Sequence, residues 1–246
     1  MSLFESSDGL GSKEVPQSAN KGPRFLVLEG IDGAGKTTHL QFLASRLRQA
    51  GQSVVITREP GGSPLAESLR EIVLRSPMDG LTELLIIFAA RRDHLRQTIW
   101  PALERGQWVI SDRFTDSTRA YQGTARGLPS SLIEAMAQAV EAEGRGADHV
   151  FYFDLPAEVA AKRRRDRSAG ALLAEEADRF DTETIVFFER VRLGYRLAAE
   201  NRGSQQTWID AQQSVETIQQ QLSQVLAPWL PVNAEPSGPL SQPSSC

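Results

Sequence analysis

Short apolar runs recur along the chain, each followed by a longer stretch whose apolar residues return every three or four positions. The runs are Phe25-Leu26-Val27-Leu28, Val54-Val55-Ile56-Thr57, Trp108-Val109-Ile110-Ser111, Val150-Phe151-Tyr152-Phe153 and Thr207-Trp208-Ile209. They do not alternate between apolar and polar positions, so they read as strands covered on both faces. Helical patterns run from Lys36 to about Ala50, where Gly51 ends the pattern, from Leu65 to Leu74, and from Leu81 to about Arg105. Strand and helix in repeated succession predict an α/β fold, with three α/β/α layers and a five-stranded parallel sheet surrounded by helices.

In such sheets ligands gather beyond the carboxyl ends of the strands, so the residues after each run matter most. The first run is followed by Gly30-Ile31-Asp32-Gly33-Ala34-Gly35-Lys36-Thr37 and then Thr38. This is the G-x-x-x-x-G-K-[ST] pattern in the strand-to-helix setting it requires, and it adds a P-loop NTPase character to the predicted architecture. Glycines let backbone amides close around a polyphosphate, and the helix beginning near Lys36 points the positive end of its dipole at the same place. Lys36 is expected on the β- and γ-phosphates and the Thr37 hydroxyl on magnesium, which makes ATP and Mg2+ the expected cofactors. The motif alone does not separate kinases from GTPases, motor ATPases or transporters.

Composition narrows the setting. With 246 residues and 40% hydrophobic content, the chain can bury a substantial core without disulfide or metal staples. The serine-, glycine- and proline-rich segments 1–23 and 231–246 read as disordered tails around a folded domain, 24–230. A net charge of -4 supplies no general basic field, which argues against a nucleic-acid partner. The single cysteine, Cys246, fits a reducing compartment. No secretory pattern opens the chain, and no apolar stretch approaches the roughly 20 residues that span a bilayer. The expectation is therefore a cytoplasmic protein without a membrane partner. His39, His94 and His149 are scattered without metal-ligand spacing and read as structural or solvated.

Further segments sit at the other strand ends or on helices beside them: Thr57-Arg58-Glu59-Pro60-Gly61-Gly62, Asp112-Arg113-Phe114, Ala120-Tyr121-Gln122-Gly123 and Phe88-Ala89-Ala90-Arg91-Arg92. Phe88 and Arg92 are four apart on one helix, so they share a face and set an aromatic plane beside a cation. Singly, each residue has a plainer explanation. Phe88 is a core residue beside Leu84, Leu85 and Ile87, Arg92 a solvated charge, Tyr121 a rim aromatic and Asp112 a turn cap.

Taken together with the phosphate cradle, these segments resemble the thymidylate kinase family, whose members phosphorylate dTMP to dTDP. The resemblance runs from about Arg24 to Leu226 and implies a nucleoside monophosphate kinase domain. It implies that Phe88 stacks on thymine, that Arg92 and Arg113 hold the monophosphate, and that Arg70 lies near both. It also implies that Thr118 and Gln122 meet the edge of the base, that Tyr121 crowds the sugar 2′ carbon, and that Asp32 receives the 3′ hydroxyl. Glu59 and Asp112 would join Thr37 near the magnesium. Arginine suits the phosphate-holding positions because its planar fork makes paired hydrogen bonds to phosphate oxygens.

Some members of the family carry a catalytic arginine in the cradle, at the position held here by Gly33. The resemblance therefore points to a lid around 162–180, where Lys162-Arg163-Arg164-Arg165-Asp166-Arg167 leads toward Asp178-Arg179-Phe180. Arg165 and Arg167 are the expected catalytic arginines, beside Lys36 and Arg113. A closing lid would also exclude water from the transfer. The family further implies a homodimer, with Leu81 to Phe88 and Leu132 to Val140 as the contact. Two other readings stay open: a kinase of another deoxynucleoside monophosphate, and a P-loop ATPase or switch. The switch lacks support, since the guanine-reading pattern N-K-x-D does not occur.

Overall fold

The computed structural model describes residues 25–170, 179–180, 182–200 and 202–230, with side chains from 167 to 170 excepted. The segments read as tails lie outside the described residues. The five apolar runs form one sheet of parallel strands in the order β2-β3-β1-β4-β5. The strands are β1 (Phe25–Glu29), β2 (Val54–Arg58), β3 (Trp108–Asp112), β4 (His149–Asp154) and β5 (Gln206–Asp210). All of β1 is buried, as expected for the central strand of a sheet covered on both faces.

Each strand runs past its apolar core to a charged residue: Glu29, Arg58, Asp112, Asp154 and Asp210. The parallel register sets Arg58 and Leu28 beside Asp112, and Asp154 beside Asp210. One edge of an apolar sheet thus becomes a row of charges, because parallel pairing brings equivalent strand ends together.

The helices are α1 (Lys36–Gln49), α2 (Pro64–Arg75), α3 (Gly80–His94), α4 (Trp100–Glu104), α5 (Thr115–Thr118), α6 (Ser130–Glu141), α7 (Ala157–Gly170), α8 (Ile185–Ala199) and α9 (Val215–Leu226). Local chemistry starts several of them. Asp79 caps α3 by accepting from Leu81 N at 2.9 Å and Thr82 N at 3.1 Å, and Pro64 opens α2, where an amide hydrogen is not needed. Among the described residues, no helix is long and apolar enough to cross a membrane.

The continuous helix expected from Leu81 to Arg105 is broken into three parts. After α3, the segment Leu95–Ile99 is a π-helical turn, and α4 follows with Pro101 in its first turn. Proline has no amide hydrogen to return to the preceding turn, and the chain absorbs the loss by widening there. A second π-helical segment, Arg119–Ala125, carries Tyr121 and Gln122 and packs along α8.

Candidate active site

The glycine-rich loop crosses from β1 to α1 beside the row of strand-end charges. Lys36 is nearly buried, and its ammonium donates to the carbonyls of Gly30 at 2.9 Å and Ile31 at 3.3 Å. It also lies 3.9 Å from Asp32 and 3.8 Å from Asp112. Burial, and then the neighbouring Arg113, lower its pKa. A cation held in this way gains by meeting phosphate oxygens. Gly33 has φ +94°, and a Cβ there would lie 2.9 Å from the Ala160 carbonyl of α7. The cradle therefore has no room for a side chain at Gly33.

Opposite the cradle, Arg113 follows β3 with φ +73°, a left-handed conformation rare for arginine. Its guanidinium donates to Asp32 at 2.8 Å, Tyr195 at 2.8 Å, Ser117 at 3.1 Å and the Tyr121 hydroxyl at 3.2 Å, and lies 5.1 Å from the Tyr121 ring centre. Burial works against the charged form of both Asp32 and Arg113. The pairing outweighs it, so Asp32 falls well below the usual carboxylate range and Arg113 rises above its ordinary value. Burial also raises the Tyr121 phenol, which keeps it neutral. Lys36, Asp32, Arg113 and Tyr121 are thus brought together in one cluster.

Glu59 is buried, and its oxygens meet Arg91 Nε at 2.7 Å and His94 Nδ1 at 3.1 Å. Burial opposes its charge, but Arg91 lowers its pKa. His94 in turn meets the Thr57 hydroxyl at 2.6 Å. Thr118 accepts from Arg91 at 2.9 Å, Gln122 donates to Glu83 at 2.6 Å, and Arg70 donates to the Pro60 carbonyl at 2.8 Å. Phe88 is buried against Leu84, Ile133 and Ala137, with the Arg91 guanidinium carbon 4.9 Å from its ring centre.

The arginine beside Phe88 is the main departure from the sequence expectation. Arg92 donates to the Val140 carbonyl at 2.9 Å, pairs with Glu143 at 2.6 Å and lies over Trp100, all outside the cluster around Arg113. Arg91 occupies the inner position, and its Nη1 is buried without a hydrogen-bond partner among the described residues. Residues three and four places beyond Phe88 lie to either side of it on the same helix face, about 100° apart, so identical side chains there reach different surfaces. Periodicity admits both, and only the packing of α3 on α6 selects one.

The metal-ligand expectation also divides. Thr37 is exposed at the head of α1, and Asp112 Oδ1 is buried without a hydrogen-bond partner among the described residues. Both can serve a cation. Glu59 has its oxygens committed to Arg91 and His94. Thr38 is exposed beside Thr37, Ile31 and Ala34 are buried in the cradle, and Gly30 and Gly35 both have positive φ.

The first half of the expected lid lies in α7. Arg164 donates to the Asp32 carbonyl at 3.0 Å with its guanidinium carbon 4.4 Å from the Phe188 ring centre, and Arg163 reaches the Gly33 carbonyl at 3.4 Å. Arg165 is exposed, while the Arg167 side chain and the stretch 171–178 lie outside the described residues. Arg179 donates to the Val73 carbonyl at 3.2 Å and pairs with buried Glu83, and Phe180 meets the edge of Tyr121 at 5.8 Å.

Sequence reasoning quoted Arg91 and Arg164 within their runs but chose their neighbours, and it passed over Glu83, Ser117, Tyr195 and Glu29. Of those four, Glu29 carried a signal, as a charge ending an otherwise apolar central strand. Its carboxylate accepts from Phe114 N at 2.9 Å, Ser117 N at 3.2 Å and the Ser117 hydroxyl at 2.6 Å. Burial, with repulsion from Asp116, pushes its pKa up to about 7.

A phosphate nest with a buried ammonium, set across from an arginine bound by aromatic hydroxyls, offers two anion sites side by side. That arrangement, on a parallel sheet, defines a P-loop kinase of the nucleoside monophosphate class. The family model for thymidylate kinase matches residues 28–222. A thymidylate kinase of Paraburkholderia phytofirmans is 48% identical over 208 residues, covering 83% of this chain and 97% of that protein. One from Burkholderia cenocepacia (strain HI2424) is 49% identical over the same coverage. The crystal structure of thymidylate kinase from Ehrlichia chaffeensis superposes with a TM-score of 0.66 at 32% identity, covering 83% of this chain and 99% of that one. The chain belongs to the thymidylate kinase family.

Proposed function

We propose that the protein transfers the γ-phosphoryl group of ATP to dTMP, giving dTDP and ADP. The observation that carries this reading is the juxtaposition of Arg113, bound to Asp32 and Tyr121, with Lys36 in its glycine-rich cradle. A phosphate oxygen of dTMP attacks the γ-phosphorus, and the bond from that phosphorus to the β,γ-bridging oxygen breaks. The acceptor is already a phosphate dianion, so no separate base is needed.

The chain contributes position and charge. Lys36 and the cradle amides bind the β- and γ-phosphates, and Arg113 holds the acceptor phosphate, exchanging part of its pairing with Asp32 for the ligand. Asp32 is thereby freed toward the sugar 3′ hydroxyl, and Tyr121 covers the sugar. Arg91, with its unshared Nη1 hydrogens beside Phe88, takes the role first given to Arg92 and holds the monophosphate with Arg113. Thr118 and Gln122 hold the wall of the pocket for the base.

Magnesium, held by Thr37 and Asp112, would neutralise phosphate charge that builds during transfer. Lid arginines would supply the remaining cations. Arg164 joins Arg165 and Arg167 as a candidate because it already reaches the cradle. Leu65, Ile72, Leu81, Leu85 and Leu132 are exposed on α2, α3 and α6, and support a homodimer through that face. On this reading, residues 24–230 form the kinase domain and the enzyme works in the cytoplasm.

The test is ADP production with ATP, magnesium and each deoxynucleoside monophosphate in turn, beside a Lys36→Ala control. dTMP is expected to be the preferred acceptor. Preference for another monophosphate would overturn the specificity, and ATP turnover indifferent to acceptor would overturn the kinase reading.

A further inference from the structure

A left-handed arginine needs something to hold it, and the support here comes from another strand. Arg113 is the one non-glycine residue with positive φ among the described residues. Such a backbone persists only where its surroundings over-determine it. The amide just after it, Phe114 N, is bound by Glu29 Oε1 at 2.9 Å, which also takes Ser117 N at 3.2 Å. The other carboxylate oxygen takes the Ser117 hydroxyl at 2.6 Å. Ser117 Oγ then accepts from Arg113 Nη1 at 3.1 Å and lies 2.9 Å from the Tyr195 hydroxyl, itself an Arg113 partner at 2.8 Å. One buried carboxylate therefore secures both the backbone and one side of the guanidinium of Arg113.

We propose that Glu29 is a positioning residue for the acceptor phosphate, acting through the Arg113 turn and the Ser117 hydroxyl. The inference rests on the dTMP kinase reading. Glu29 touches neither substrate. Its surroundings are Asp116 and Ser117 on α5, Arg113 on the turn, Lys36 on α1, Tyr121 on the π-helical segment, Tyr152 on β4 and Tyr195 on α8. Without the carboxylate, the buried Phe114 amide loses its acceptor, the Ser117 amide keeps only its bond to the Phe114 carbonyl at 3.1 Å, and the left-handed turn loses its anchor. The donor cradle is held by its own glycines and by Lys36, so it is little affected.

The test compares Glu29→Ala and Glu29→Gln in the full chain by steady-state kinetics, each also combined with Arg113→Ala. Glu29→Ala is expected to raise the KM for dTMP roughly tenfold or more while that for ATP moves less than about twofold. Glu29→Gln keeps a carbonyl for both amides and is expected to restore dTMP KM to within about threefold of the parent. In the Arg113→Ala background the Glu29→Ala effect should disappear, because the two residues act as one unit. Equal changes in both KM values, or effects that multiply independently of Arg113, would overturn the proposal. If Glu29→Ala does not fold, Ser117→Ala decides by the same cycle: a rise in dTMP KM confined to the Arg113 parent supports the proposal, and an independent effect overturns it. Failure of the unmodified protein to use dTMP would instead count against the functional reading itself.

Discussion

The donor cradle draws its phosphate-facing groups from eight consecutive residues, Gly30 to Thr37, whereas the acceptor pocket draws on residues scattered from Glu29 to Tyr195. The cradle is a local device. Three of its glycines adopt positive φ, and Lys36 reaches back to carbonyls only five and six residues away. The pocket is assembled. Arg113 is held by partners from the cradle, α5, the π-helical segment and α8, and Arg91 links α3 to the loop after β2 and to α5. A binding site for a common group can be carried by a short loop, but one that reads a particular acceptor needs several elements held in register.

This contrast is open to direct attack. The largest effect should come from Lys36→Ala, which removes the cradle's cation and is expected to lower kcat about a thousandfold or more in the coupled assay. Its melting temperature should change little, since a buried charge is lost along with its function. A large loss of stability with full residual activity would show that the lysine is only part of the core.

The pocket is best probed by its two adjacent arginines. Arg91→Ala leaves Glu59 buried beside a neutral side chain and is expected to cost about 3–5 kcal/mol in chemical denaturation. It should also raise the dTMP KM by roughly tenfold or more. Arg92→Ala breaks a pair with Glu143, whose side chain is 61% exposed, and should change stability by less than about 1 kcal/mol with unaltered kinetics. Reversed outcomes would restore Arg92 to the site and undo the assignment made from the packing of α3.

Gly33→Ala sharpens the other side of the comparison. It forces a Cβ toward the Ala160 carbonyl at a backbone angle that favours glycine, and should cost about 1–3 kcal/mol while raising the KM for ATP more than that for dTMP. The opposite selectivity would mean that the loop serves the acceptor.

The effect spread most gradually over conditions is a pH slope. Glu29 has an ordinary carboxylate pKa of 4.5 when exposed and about 7 in the fold. The folded protein therefore binds its proton more tightly than the unfolded chain. The stabilising contribution is full below pH 4.5, declines as pH rises toward 7 and is absent above, on the order of 3 kcal/mol at its fullest. Melting curves of the parent should converge on those of Glu29→Gln at low pH and fall below them as pH rises through neutrality. Parallel curves would show that Glu29 is ionised throughout.

Much of the architecture was legible in the chain itself. All five apolar runs are strands, and the helices after the first and second runs lie within a residue or two of their expected bounds. Periodicity suffices there because covered strands and amphipathic helices answer to local apolar spacing. It failed between Leu81 and Arg105, where apolar spacing continues through the π-helical turn and Pro101 alone marks the break. In the site, the cradle was readable as a word, and Asp32, Arg113 and Tyr121, singled out from separate segments of the chain, lie in contact.

What the linear order determined was the set of strands, the phosphate loop and the kinds of side chain available at each strand end, because these depend on neighbours within a few residues. Which arginine faces the pocket, which carboxylate anchors the turn and how Glu83 gathers Gln122, Arg126 and Arg179 were decided only by tertiary packing. Those choices follow from the faces that α3, α5 and α8 present to one another, and such orientations are set by contacts between residues as much as 165 positions apart.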